Sequence, residues 1–204
     1  MPEHADTTIK PDKSRVEALT DGIFAFAMTL LVTSLILPRS AIVTQTSYQA
    51  LLSLIPDFYH YIIAFFVLAA FWMAHHRQFS QIRALDRIII GTTVISLFLV
   101  TLVPFSTSFI GDYFDPFSSI VFEANLLVLG LVFTFQWYHA TKDHRLVSPD
   151  LSLGVIRRGL AFGCIIPVIS FLGILLALTG NDSSTAIYLA LPLAKPVVAH
   201  LLQT

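Results

Sequence analysis

A chain of 204 residues with 55% hydrophobic and only 12% charged side chains, and a mean hydropathy of +0.77, cannot furnish the polar shell of a soluble domain and reads as an integral membrane protein. Its net charge of −1 excludes the broad basic face that nucleic acid requires. The single cysteine, Cys164, lies in an apolar run and reads as a small buried hydrophobe rather than a redox centre.

Residues 1–14 are polar, hold Pro2, Pro11 and charges of both signs, and lack the apolar stretch of a cleavable signal peptide. They read as a short mobile cytoplasmic tail, with residues 15–204 as one membrane domain. Hydropathy predicts six helical spans there, at 15–38, 54–75, 88–110, 118–139, 160–178 and 184–202. The first is long enough to cross a hydrocarbon core of roughly 30 Å at about 1.5 Å per residue. A polar link over 39–53 leads to the second span, whose first turn tolerates Pro56 because an N–H there has no helical partner. A basic link with Arg83 and Arg87 precedes the third, which reaches Pro104 near its far end. An acidic link with Asp112 and Asp115 precedes the fourth. The sixth span contains Pro192, Lys195 and Pro196 and is weakest near Leu191.

Charge orients the chain. Lys10, Lys13, Arg15, Arg77, Arg83, Arg87, Lys142, Arg145, Arg157 and Arg158, ten of the twelve Lys and Arg, fall at alternate ends of the spans, against Arg39 at the opposite side and Lys195 within the last span. The positive-inside rule then puts both termini in the cytoplasm of a multi-pass cell-membrane protein, and two cytoplasmic termini need an even number of spans.

The first span has two faces. At about 100° per residue, Phe26, Leu30, Thr33 and Leu37 fall within roughly 60° of one another. Asp21, Phe24, Met28, Leu31 and Leu35 form the opposite stripe. The first mixes bulky apolar groups with a hydroxyl and suits a pore. The second begins with a carboxylate that needs a partner, because unpaired charge at membrane depth is costly, and suits a packed interior.

Arg15, Leu19, Thr20, Asp21, Phe24 and Ala25 resemble the R-x-x-x-F-S-D-x-x-F-A signature that opens the first helix of the transmembrane protein 175 family, the endolysosomal potassium channel and its bacterial relatives. Leu stands for Phe and Thr for Ser. Two further motifs agree in order: FWMAHHRQF, with Trp72, His75 and Phe79, and LVPFSTS from Leu102 to Ser108. The animal members carry two six-helix units per chain and this chain carries one, so the resemblance implies a homotetramer around the first helix, an all-α polytopic fold with identical side chains set as rings on the axis. It also places the constriction on this helix five, nine and twelve residues beyond the motif Asp, at Phe26, Leu30 and Thr33, on the stripe that helical geometry selects.

There is no T-V-G-Y-G loop, so a filter of backbone carbonyls is excluded and selectivity falls to side chains. A Leu30 ring forms a hydrophobic constriction. Thr33 hydroxyls replace part of the hydration shell of a passing potassium ion, which surrenders water more readily than sodium. The competing structural reading has Thr33 bonding back to the carbonyl of Thr29 with Leu30 facing lipid, and Phe26 packing between subunits. No cofactor is expected; potassium is the permeant ion and the bilayer the other partner.

Arg15, Thr20, Asp21, Trp72 and His75 make a second constellation, a polar lock between the first two spans that fixes the rotation of the first. Its plainer reading makes Arg15 a headgroup anchor and Trp72 part of an interfacial belt. The family usually has Asn in the third helix where this chain has Thr93, which loosens the lock. Two rival functions stay open at this point: a membrane haem protein using His60, His75 or His76, and His139, and a proton-coupled carrier with Asp21 or Glu123 as proton site. Enzyme chemistry has no support, since the sequence has no nucleophile elbow, metal-ligand spacing, paired catalytic carboxylates or Gly-rich phosphate loop.

Overall fold

Short polar side chains start the helices. Asp12 accepts a hydrogen bond from the Ser14 amide and opens α1, Lys13–Leu30. Thr46 and Gln49 form a capping box on the short α2, Ser47–Ser53. Helix α3, Ile55–Gln81, begins on Pro56. Asp86 caps α4, Arg87–Tyr113, through the Ile89 amide. Asp115 and Ser118 cap α5, Pro116–Thr141. Ser152 caps α6, Leu153–Leu178, which ends at Gly180 in the left-handed region at φ +81°. Each side-chain oxygen satisfies an amide that the first turn leaves free, and glycine takes the positive φ without a Cβ clash.

These elements come from a computed structural model that describes residues 12–36, 46–113, 115–181, 184–192, 194, 196 and 198. Among the described residues the protein is all-α, with a lone antiparallel bridge between Ile82 and Val147. Five segments are long and apolar enough to span a membrane: Lys13–Ser34, Ile55–Gln81, Arg87–Tyr113, Pro116–His144 and Leu153–Leu178. They correspond to the first five predicted spans, but the first ends at Ser34 rather than at 38, the second runs on to Gln81, and the fifth begins at the capped Leu153. The predicted sixth span starts as a 3-10 helix, Ser184–Ala190, with helical backbone again at Leu191, Pro192, Ala194, Pro196 and Val198; Lys195 and residues 199–204 lie outside the described residues. Pro192 has no N–H to offer the Tyr188 carbonyl, so α-helical bonding cannot run unbroken through this stretch.

The core runs between α1, α3, α4, α5 and α6. Phe24, Ala27 and Leu31 of α1 meet Ala64, Val67, Leu68 and Phe71 of α3, Leu97 and Val100 of α4, and Leu126, Leu129 and Phe133 of α5. In a bilayer, lipid tails are as apolar as leucine, so close packing rather than burial from water must hold the helices together. Glycine permits the closest approach, between α5 and α6. A Cβ on Gly130 would sit 2.7 Å from the Pro167 ring, and one on Gly159 would overlap the Trp137 indole. Cys164 corrects the sequence reading: it is exposed on the outer side of α6, where lipid takes the place of a core.

The basic ends of the helices are tied by their loops. The Lys13 ammonium donates to the Ile82 carbonyl at 2.8 Å, and the Arg83 amide to the Leu146 carbonyl at 2.8 Å. Phe79, Ile82, Ile89, Ala140, Leu146 and Val147 form a small second core beneath these bonds. The start of α1 is thereby fixed against both the α3–α4 and α5–α6 links.

Candidate functional site

Helix α1 is the most exposed of the five spans: 22% of it is buried in the subunit, against 33% to 44% for the other four. Its buried face is Thr20, Phe24, Ala27 and Leu31, spaced i, i+4, i+7 and i+11. On the other side Phe26 is 62% exposed and Leu30 36%, with Thr33 also open. Of the predicted interior stripe, Phe24 and Leu31 lie in the core and Met28 packs against it, Leu35 is half-buried, and Asp21 is exposed. Leu37, the fourth member of the outer stripe, lies outside the described residues.

After Leu30 the backbone tightens into a 3-10 turn, Leu31–Ser34. At three residues per turn, side chains at i and i+3 eclipse, so Leu30 and Thr33 stack in one column along the axis. The hydroxyls bond inward: Thr29 to the Phe26 carbonyl at 2.8 Å, Thr33 to Leu30 at 2.6 Å and Ser34 to Leu31 at 2.7 Å. Thr33 thus does bond back, to Leu30 rather than to Thr29, the same i−3 choice that Thr29 makes within α1. A hydroxyl that donates to the backbone still presents its oxygen lone pairs outward, the orientation a cation needs.

The polar lock is narrower than the sequence implied. The Trp72 Nε1–H donates to Asp21 Oδ1 at 2.8 Å, joining α1 to α3. Trp72 also stacks on His76, with ring centroids 6.1 Å apart. The other three proposed members are elsewhere. His75 is buried, lies 4.0 Å from the Phe79 ring and meets the Phe133 edge, and among the described residues neither ring nitrogen has a hydrogen-bond partner. The Thr20 hydroxyl turns back to the Val16 carbonyl at 2.8 Å. Arg15 is exposed on the first turn of α1. Thr93 faces α5 instead of α1: it donates to the Ile89 carbonyl and accepts from Gln136 Nε2 at 3.3 Å.

Phe133 and the Asp86–His139 pair were not foreseen, and Glu123 was named only as a carrier's proton site. Phe133 of α5 is an aromatic hub, edge-on to Phe24 of α1 and tilted against Phe71 of α3. Glu123 is fully buried on α5 beside Gly173 of α6, where a Cβ would lie 2.6 Å from its carboxyl. Asp86 pairs with His139, Oδ2 to Nε2 at 2.6 Å. An Asp three residues before Ile89 is a recognisable cap signal, but nothing in the chain announces its second partner. The histidines considered for haem go to separate places: His60 beside Thr185, His75 on Phe79, His139 on Asp86.

Burial alone would push the Asp86 carboxyl up, but the bonds from His139 and from the Ile89 and Ile88 amides outweigh it and hold it below its ordinary 3.8. A lowered carboxylate stabilises the fold fully above its unfolded value and loses that contribution as pH falls through the folded one. Thermal melting of purified protein should therefore show a lower midpoint for Asp86→Asn, with a gap to wild type that closes as pH falls below 3.8. A gap that widens in acid would mean the pair is not what holds this end.

The family profile described as endosomal/lysosomal potassium channel TMEM175 matches residues 15–104. A potassium channel of Chamaesiphon minutus is 34% identical over 152 residues, 72% of each chain. A potassium channel of Streptomyces collinus is 29% identical over 151 residues, covering 72% of this chain and 73% of that one. The crystal structure of a lysosomal potassium-selective channel TMEM175 homologue from Chamaesiphon minutus superposes with a TM-score of 0.78 at 25% identity, over 94% of this chain and 98% of that one. The matched segment holds both α1 faces and the Trp72–Asp21 bond, and the shared fold extends well past it. This chain belongs to the TMEM175 family, a family of ion channels and not of enzymes.

Proposed function

We propose that the chain forms a homotetrameric potassium-favouring cation channel whose path is lined by α1. The observation that carries this reading is the outer stripe of α1. Phe26, Leu30 and Thr33 lie on a span with 22% of its length buried, while its opposite face is locked into the core. A helix held so firmly on one side and left open on the other is suited to meet its own copies about an axis, where each residue becomes a ring. The names of the matched relatives support potassium as the permeant ion.

In this reading Leu30 forms the narrowest ring and excludes water, and Thr33, directly behind it in the 3-10 column, offers oxygens to the partly dehydrated ion. Phe26 lines the path on the side of the basic helix ends. The charge bias puts both termini in the cytoplasm, so residues 1–14 form a cytoplasmic tail and residues 15–204 the channel unit. Ions then meet Phe26 before Leu30 when leaving the cell. Trp72 and Asp21 hold the rotation that points these side chains at the axis.

The test is the reversal potential of purified protein in a planar bilayer with potassium on one side and sodium on the other. A shift favouring potassium is expected. Absence of ionic current, with uptake driven by a proton gradient, would favour the carrier. Thr33→Val keeps the side-chain shape and removes the oxygen, so its permeability ratio should fall toward unity with current retained. An unchanged ratio in that variant would take selectivity away from the hydroxyl ring.

A further inference from the structure

Helix α6 packs along α5, and α3 packs on α4, so α3 and α6 stand apart. The gap between them is a cleft of about 380 Å³ near their basic ends. Its walls are mostly apolar and include the small residues Ala70 and Ala74 of α3 and Gly159 and Gly163 of α6. A second cleft of about 250 Å³ shares Ala70 and Leu191 with the first and continues past Phe66 to Ile62. From Arg77 to Ile62 the groove follows α3 for about 22 Å at 1.5 Å per residue, roughly three quarters of a 30 Å hydrocarbon core.

Arg77 and Arg158 border the groove from its two sides. Each is exposed and lies about one turn, or slightly more, from the basic end of its helix. Among the described residues neither takes part in a salt bridge. Two unpaired guanidinium groups at interfacial depth, above an apolar slot that descends into the hydrocarbon core, match the form of an anionic phospholipid. The phosphate takes the paired N–H donors, and an acyl chain takes the slot.

We infer that this groove is a binding site for an anionic phospholipid. It lies apart from the outer face of α1 and does not depend on which ion the channel passes. The acyl chain packs on Ala70, Ala74 and Phe162, and the headgroup sits between Arg77 and Arg158.

Native mass spectrometry of the full-length protein tests the site, with dioleoyl phosphatidylglycerol and dioleoyl phosphatidylcholine titrated separately. Wild type should retain phosphatidylglycerol preferentially. Arg77→Gln/Arg158→Gln, two exposed changes that leave the packing intact, should weaken it about 30-fold, from the attraction of two basic side chains near the membrane surface. Ala74→Phe fills the slot while leaving both arginines in place, and should also weaken it. Equal retention of the two lipids would overturn the proposal, as would undiminished binding by the double variant. Unchanged binding by Ala74→Phe would reduce the contact to surface attraction and refute the slot. A changed oligomeric state in that variant, with lipid binding intact, would assign the groove to a neighbouring copy.

Discussion

Leu30→Ala is expected to raise unitary current several-fold and to move the potassium-to-sodium permeability ratio toward unity. Leu30 sits at the junction of the α-helix and the 3-10 turn, 36% exposed in the subunit and with Thr33 stacked behind it. A ring of leucines costs a passing ion much of its hydration shell, and it keeps the path dry when no ion is present. Alanine at the same place widens the ring and lets water remain, so hydrated ions of either kind pass and the hydroxyls no longer choose between them.

Leu31→Ala is the control that separates a pore effect from general loosening. Leu31 is fully buried in the core, on a turn that packs against α3 and α4. Its truncation leaves a cavity that costs about 2–5 kcal/mol, and the expected result is a lower melting temperature without the several-fold gain in current. If Leu30→Ala leaves the current unchanged, the path lies on another face or another helix. If both variants change current alike, α1 responds to packing rather than lining the path.

Much of this was legible from the chain because the first span carries opposed chemistry on two faces. A carboxylate at Asp21 with Phe24 and Leu31 below it needs an interior, and Phe26, Leu30 and Thr33 have no interior to join. The bond from Trp72 to Asp21 was readable for the same reason, since an indole at the end of the next span is a donor at matching depth. His75 was assigned to that lock, and Thr93 was read as loosening it, by position in a motif, and position does not fix rotation. His75 turns toward Phe79 and Phe133, where an aromatic pocket already exists, and Thr93 turns toward Gln136.

The 3-10 turn after Leu30 was not legible. Leucine, valine and threonine permit either winding, and the choice depends on how Leu31 fits between α3 and α4. The Asp86–His139 pair was hidden for a different reason: the residues are 53 positions apart, and only the docking of the α3–α4 link beneath α5 brings them to 2.6 Å. The groove between α3 and α6 is a property of which helices do not touch. Periodicity reports the faces of a helix but not its neighbours.

Trp72→Phe is expected to destabilise the protein by about 1.5–3 kcal/mol, the range for a hydrogen bond to a charged group, and to abolish potassium preference where current survives. The substitution keeps an aromatic ring beside His76 and removes the donor that reaches Asp21 at 2.8 Å, together with one ring of the indole. Asp21 is then a carboxylate without its partner near the membrane surface, and α1 can lower that cost by rotating the acid toward water. A turn of even one residue, about 100°, carries Leu30 and Thr33 off the axis. Asp21→Asn keeps an oxygen for the indole but removes the charge, which roughly halves the strength of such a bond, so its effect should lie between wild type and Trp72→Phe. The double variant should lose little more than Trp72→Phe alone, because both changes remove one shared interaction. Melting temperature and reversal potential together decide the matter. A loss of stability with selectivity intact makes the bond a brace that does not set rotation. Additive losses in the double variant mean that Asp21 and Trp72 act through separate partners, and the rotation of α1 then depends on Phe24 and Leu31 in the core.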